Sequence, residues 1–494
     1  MTIEQLTERY FETGTVADLP DRHFIDGVFT PSASGEKLEK YDPGRGRVFA
    51  EFAAGDERDV ARAVEAAERG FRVWRNVKPA ERCRILNRCA VLMRENAAML
   101  ALMEVLDAGK SLTEAEGDVA SSARLVEYYA GAADKLEGRS VPLGPDNMAW
   151  TIREPVGVTA HIIPWNYPLS TFVRGVAPAL AAGCSVVAKP AETTPYTALF
   201  MARLLAEAGM PDGVVNVVTG LGKDAGEPLV RHPSIAHVTF TGSVATGVHV
   251  MQTVAPNVTR LTLELGGKSP LVALDDCDVE AAADGAVGAI FSNAGQICSA
   301  GSRLIVDRRI HDDLLGRLLE KTKELTFGHG LRRPYMGAIN SRLHLARISG
   351  HVERARKRGA SIVIGGNPAT DPATGEGWFF EPTIIDMLPV NDPAVQEEIF
   401  GPVLAVQVVD GDEEALAAAN GTEYGLVSGI YTRDIGRALR LARDIDAGQV
   451  TINDYWAGGV ELPFGGNRKS GFGREKGLEG IDAYTRTKSI TVKI

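Results

Sequence analysis

The sequence predicts an α/β protein made of two α/β domains with mostly parallel sheets, plus a small β element outside them. Three observations carry this. From Val156 onward strand-like runs alternate with helix-like runs, the pattern of βαβ units. The alternation restarts after Glu264, as a second domain requires. The C-terminal stretch TKSITVKI (487–494) alternates like a strand, and such a strand adds to an existing sheet or to a partner chain.

Taken in order, residues 57–136 read as helical, with runs such as DVARAVEAAERGFRVW and RILNRCAVLMRENAAMLALMEVL. Residues 137–150 (EGRSVPLGPDNMAW) lose that period and carry two Pro and two Gly, so they form an excursion or a hairpin. A buried strand at 185–189 follows, Thr194 caps, and Pro195 opens a helix through Ala208. A strand at 214–218 leads through Gly220-Leu221-Gly222 to a short helix, and one at 237–241 leads to a helix near Ser243. After the restart come a strand at 271–274, a helix at 279–294 and a strand at 303–306.

Composition excludes several function classes. With 494 residues the chain buries a substantial core, and 45% hydrophobic with 24% charged residues is globular and soluble. A net charge of −11 without a basic run argues against a nucleic-acid partner. The five cysteines lack C-x-x-C spacing, so neither a disulfide framework nor a zinc site is expected, and a reducing cytoplasm fits. MTIEQLTERYFETG contains no apolar signal-peptide core, and no run reaches membrane-span length.

Several residues stand in settings suited to chemistry. Cys298 lies in FSNAGQICSAGSR, where Gly295 and Gly301 let a ligand and backbone amides approach a thiolate. The other four cysteines sit in helical or strand-like runs and read as core. Glu264, in LTLELGGKSP, has apolar neighbours that raise a carboxyl toward a useful general base. Asn166, in the stiff PWNYP segment, can offer its amide to a developing oxyanion. Lys189 and Glu192 (AKPAETTP) follow a buried strand, where open α/β sheets bind ligands and where the pair could hold two ribose hydroxyls. Gly242-Ser243 at a helix start suits a phosphate, although no G-x-G-x-x-G follows any strand.

Together these segments closely resemble the aldehyde dehydrogenase superfamily of the hydrolytic, non-acylating type. The match runs in order through PWNYP (164–168), KPAE (189–192), FTGSVATG (240–247), ELGGK (264–268), GQIC (295–298), EEIFGPV (397–403) and PFGGNRKSGFGRE (463–475). The resemblance implies an NAD-binding domain at 1–130 and 152–262, a catalytic domain at 263–470, and an oligomerisation element at 131–151 and 480–494. It implies oxidation of an aldehyde to an acid with NAD⁺, NADP⁺ being weaker, in a homodimer or homotetramer.

By the same resemblance Cys298 is the nucleophile, Glu264 the base, and Asn166 with the Cys298 amide the oxyanion hole. Trp165, Lys189, Glu192, Ser243, Glu398 and Phe400 contact the cofactor, and Glu475 relays protons. Arg174, Tyr167 and Phe464 face the substrate. Arg174 is the only formally charged residue from His161 to Ala188. Its guanidinium calls either for a substrate carboxylate, as in a semialdehyde, or for an internal partner such as Glu461, and an aromatic aldehyde is the runner-up substrate. Two rivals are a coenzyme-A-acylating relative, which generally lacks the glutamate matching Glu264, and a catalytically silent one.

Overall fold

The computed structural model describes residues 1–494. The early helical block resolves into Glu57–Trp74, Pro79–Glu95, Ala97–Ala108 and Leu112–Ala132. Each boundary has a local cause. Asp56 and Asp59 form a capping box at the first helix, and Pro79 supplies the fixed φ that opens the second. Gly109 ends the third in the left-handed region at φ +89°, and Ser111 with Glu114 caps the fourth. Val60, Ala63, Val64, Ala67 and Trp74 recur at helical spacing on the buried face of the first.

Two sheets follow. The first has eight strands, in the order 28–30, 23–25, 215–217, 185–190, 158–163, 235–241, 260–264, 471–472. Its five central strands are parallel and its two flanks antiparallel. The second has seven strands, in the order 361–364, 383–386, 403–409, 303–307, 270–273, 427–431, 449–452, all parallel except the first. The central strands are buried along their length because helices cover both faces. The C-terminal segment crosses back to the first sheet, where Gly471 pairs with Glu264. That crossing brings the residues around Glu475 beside a strand formed two hundred positions earlier.

A third, antiparallel sheet lies apart. Thr485–Lys493 pairs with Asn147–Pro155 from Thr485↔Pro155 to Lys493↔Asn147, and Ser140–Pro142 covers the other side. The long outer edge of Thr485–Lys493 has no strand beside it, and most of its residues are exposed. No helix is long and apolar enough to cross a membrane.

Four local expectations differ. Thr194 does not cap: Pro195 is the N-cap of the Tyr196–Glu207 helix, and the Tyr196 amide is taken by the distant Asp107 carboxylate at 2.9 Å. The helix expected at 279–294 stops at Phe291, because Asn293 and Ala294 adopt left-handed φ of +46° and +52°. The short helix after Gly222 is a wide five-residue turn followed by Glu227–Arg231. The paired strands between His23 and Ala53 left no reading in the sequence. They are short or lie half-exposed, so their apolar period is weak.

Candidate active site

Cys298 lies on the loop between the Val279–Phe291 helix and the Arg303–Asp307 strand. It is half-buried and lines a cavity of about 370 Å³. Among the other cysteines, Cys89, Cys184 and Cys277 are buried core as expected, whereas Cys83 is half-buried in a surface helix. Burial pushes the Cys298 thiol up to about 12. Arg174 pulls it back, and Glu264 and Glu398 add to the rise. The resting group is therefore a protected thiol.

The loop is tied to Asn166. The Asn166 amide nitrogen donates to the Gln296 carbonyl at 2.9 Å, and one of its two hydrogens remains for another acceptor. Asn293 donates to the carbonyls of Asn166 and Gln296, each at 3.3 Å. PWNYP and GQIC are thus stitched into one unit.

Glu264 ends the Arg260–Glu264 strand and is 2% exposed. Neither of its carboxylate oxygens has a hydrogen-bond partner. Burial, then the charge of Glu475, raises its pKa well above the usual carboxylate range against the pull of Arg174 and Arg474. The glycines that follow are required by close approach. A Cβ on Gly267 would stand 2.5 Å from the Cys298 carbonyl oxygen, and one on Gly266 would stand 2.3 Å from a Glu398 oxygen.

Arg174 has an internal partner, and it is not Glu461. Its Nη2 lies 2.5 Å from Oε2 of the buried Glu475, and its guanidinium stacks 4.6 Å from the Phe464 ring centre. The Nη2 contact is out of line for a hydrogen bond and is an ionic one. Glu461 pairs instead with Arg124 at 2.8 Å on the surface. Physically, Glu461 sits half-exposed in the turn that precedes Pro463, while the Phe464↔Glu475 bridge turns Glu475 inward.

Arg174, Tyr167 and Phe464 line the same cavity as Cys298, as does Ser170, while Thr171 is buried away from it. Tyr455 and Trp456 complete an aromatic wall. Three charged side chains reach this wall. Asp118 is paired with Lys110 and Arg174 with Glu475, whereas Lys476 has no ion partner and burial pushes it down to about 8.

On the other side of the Cys298 loop, Trp165, His344 and Phe400 form an edge-to-face cluster, with Trp165 and Phe400 ring centres 5.3 Å apart. His344, which burial holds neutral at about 4, donates from Nε2 to the Phe400 carbonyl at 2.7 Å. Glu398 accepts from the Gly267 amide at 2.8 Å, and burial raises its carboxyl to about 7. Lys189, buried at the carboxyl end of its strand, lies 3.6 Å from the half-exposed carboxylate of Glu192. Ser243 caps the Val244–Val254 helix by accepting from the Thr246 amide, leaving amides of that first turn without intrahelical acceptors.

Several residues here escaped sequence reasoning. Lys110 is fully buried between Glu104, at 2.9 Å, and Asp118, and sits 4.2 Å over the Tyr167 ring. Glu104 also accepts from the Leu169 amide at 2.9 Å, fixing the start of the Pro168–Ala182 helix. The only signal was the capping box Ser111-x-x-Glu114, which marked a helix start but no site.

The aldehyde dehydrogenase family model matches residues 29–490. The chain is 41% identical over 486 residues to 4-trimethylaminobutyraldehyde dehydrogenase A of Danio rerio, covering 98% of this chain and 96% of that protein. It is also 41% identical over 492 residues to aminoacetaldehyde dehydrogenase of Pseudomonas aeruginosa, covering 98% of each. Among solved structures, an indole-3-acetaldehyde dehydrogenase in complex with NAD⁺ superimposes with a TM-score of 0.96 at 38% identity, covering 100% of both chains.

Proposed function

Because the chain belongs to the aldehyde dehydrogenase family, we propose that it oxidises an aldehyde to a carboxylic acid with NAD⁺, using Cys298 as nucleophile and Glu264 as general base. One observation carries the reading. The Cys298 thiol opens on an aromatic-walled cavity, its loop is hydrogen-bonded to Asn166, and the Glu264 carboxyl close to it is buried without a partner.

The order of events follows from these groups. Sγ of Cys298 gives its proton to water in the cavity and, as thiolate, bonds to the aldehyde carbon. The remaining amide hydrogen of Asn166 and the Cys298 backbone N–H hold the negative oxygen. Loss of hydride from that carbon, which NAD⁺ accepts when bound, leaves a thioester on Cys298. Glu264 then takes a proton from water as the water oxygen bonds to the thioester carbon, the C–S bond breaks to return the Cys298 thiolate, and the acid leaves. Glu475, close to Glu264 and held by Arg174, passes the proton outward. The presence of Glu264 favours water over coenzyme A as the acyl acceptor.

The cofactor face fits NAD⁺ through this chain's own donors. Lys189 and Glu192 would hold the adenosine ribose, Ser243 and the amides after it the pyrophosphate, and Glu398 the nicotinamide ribose. Trp165 and Phe400 would flank the nicotinamide. The segments 1–130 with 152–262 serve this face, and 263–470 carries the nucleophile. The element at 131–151 with 480–494, which carries most of the third sheet, offers that sheet's open edge to a second copy, giving a homodimer or homotetramer in the cytoplasm.

For the substrate, the wall of Tyr167, Tyr455, Trp456 and Phe464 favours an uncharged aldehyde bearing an aromatic group. Arg174 and Lys476 disfavour a cationic aldehyde of the kind named for the two 41%-identical relatives. A carboxylated semialdehyde is the second reading, and Lys476, the cavity's cation without an ion partner, now supports it better than Arg174 does. The test is kcat/KM, followed by NADH formation, on phenylacetaldehyde, succinic semialdehyde and 3-aminopropanal. Highest efficiency on the aminoaldehyde would overturn the substrate reading. Absence of acid product from all three, without coenzyme A, would count against the hydrolytic reaction.

A further inference from the structure

Glu114 lies 179 positions before Asn293, in the first turn of the Leu112–Ala132 helix. One of its oxygens accepts from the Ser111 amide at 3.4 Å and closes the capping box. The other reaches across the fold and accepts from the Asn293 amide at 2.6 Å. Capping alone would occupy only the first oxygen.

The segment it reaches is strained. Asn293, Ala294 and Gly295 follow one another with φ of +46°, +52° and +72°. Gly295 is suited to that region and Asn293 tolerates it, whereas Ala294 does not; a Cβ on Gly295 would stand 2.1 Å from the Gly401 carbonyl oxygen. Non-glycine residues stay left-handed only where the surroundings hold them. Three anchors do so here: the Asn293 side chain, bonded to the carbonyls of Asn166 and Gln296, the Gln296 backbone and side-chain amides on the Asn293 carbonyl, and the Glu114 carboxylate on the Asn293 amide, the one that comes from a distant helix. Asn166 donates to the Gln296 carbonyl as well, so the turn, the Asn166 amide and the loop leading to Cys298 share acceptors. If the turn relaxes, both groups that meet the substrate carbonyl move.

We propose that Glu114 is a positioning residue for aldehyde attack: by holding the left-handed turn at Asn293 it sets the Asn166 amide and the Cys298 thiol in register. The proposal rests on Cys298 and Asn166 being the reacting site. It touches neither substrate nor cofactor, so its effect belongs to acylation and not to NAD⁺ binding.

The experiment compares Glu114→Ala, Glu114→Gln and Ser111→Ala in the full-length protein. The readouts are the pre-steady-state NADH burst with phenylacetaldehyde, NAD⁺ affinity by fluorescence, and melting temperature. Glu114→Ala is expected to slow the burst at least tenfold with unchanged NAD⁺ affinity. Glu114→Gln, which keeps an oxygen for Asn293, should recover most of that rate. Ser111→Ala weakens the same helix start without touching Asn293, and should lower the melting temperature while keeping the burst. A wild-type burst in Glu114→Ala, or an equal slowing in Ser111→Ala, overturns the proposal. Cys298→Ala run alongside separates the two levels: turnover by that variant would instead remove the reading of the site itself.

Discussion

The guanidinium of Arg174 lies 2.5 Å from the carboxylate of Glu475, and both are almost wholly withdrawn from water. The pair borders Glu264, whose ionisation it modulates with opposite signs: Glu475 raises the pKa and Arg174 lowers it. Arg174 thus acts first on the two buried carboxylates and only second on the cavity.

Arg174→Met should accordingly behave as a charge-pair break. Removing one member of a buried pair strands the other, at a cost of about 3–5 kcal/mol. Melting temperature should fall, and kcat/KM should drop by similar factors on succinic semialdehyde and on a neutral aldehyde of equal length. Adding Glu475→Gln should return much of the stability, because the stranded charge is removed. A loss of roughly 2 kcal/mol or more confined to the acid would show instead that Arg174 holds a substrate carboxylate.

Cys298→Ala should abolish oxidation while NAD⁺ still binds, since the proposed cofactor contacts come from other segments. Glu264→Gln should form one equivalent of NADH and then stall as thioester, visible by rapid quench. Deacylation at the wild-type rate would move the base elsewhere, with Glu475 the first residue to test.

The Glu192 carboxylate, half-exposed and 3.6 Å from Lys189, should set the cofactor preference. Near a ribose 2′-phosphate it repels by about 1 kcal/mol in a water-like dielectric at 4 Å. Glu192→Gln should therefore raise the NADP⁺/NAD⁺ ratio of kcat/KM by roughly fivefold. An unchanged ratio would mean that another group reads the 2′ position.

Much of this site was legible because its chemistry is packed into short segments. Cys298 with Gly295, and Glu264 with Gly266 and Gly267, announce close approach locally; the structure sets backbone against Gly295 and Gly267 that forbids a side chain, and the Glu398 carboxylate against Gly266. Long-range pairing was not legible. Glu461 and Glu475 lie in one segment, and the choice between them depends on how the chain turns before Pro463 and returns to the first sheet. Helical periodicity likewise overran Phe291, since nothing in SNAG shows that Glu114 waits for the Asn293 amide. A capping box was readable at Ser111, but the second carboxylate oxygen has no address in the sequence.

The last expectation concerns pH. Burial and Glu475 hold the Glu264 carboxyl well above its ordinary value of 4.5, so the carboxylate that can take a proton from water forms at a higher pH than on an exposed glutamate. Hydrolysis needs the carboxylate, and its fraction grows as pH rises through the raised pKa. Single-turnover deacylation should therefore climb as pH rises through the raised pKa and then level. Stability moves the opposite way. Above pH 4.5 the unfolded chain ionises Glu264 while the folded chain keeps it neutral, so each step upward costs stability until the folded group ionises too. Glu264→Gln escapes that cost. Its melting temperature should match wild type near pH 4.5 and exceed it by a growing margin above, levelling past the folded pKa. A pH-independent deacylation rate together with a constant melting difference would show that Glu264 is ionised throughout, and that burial does not tune it.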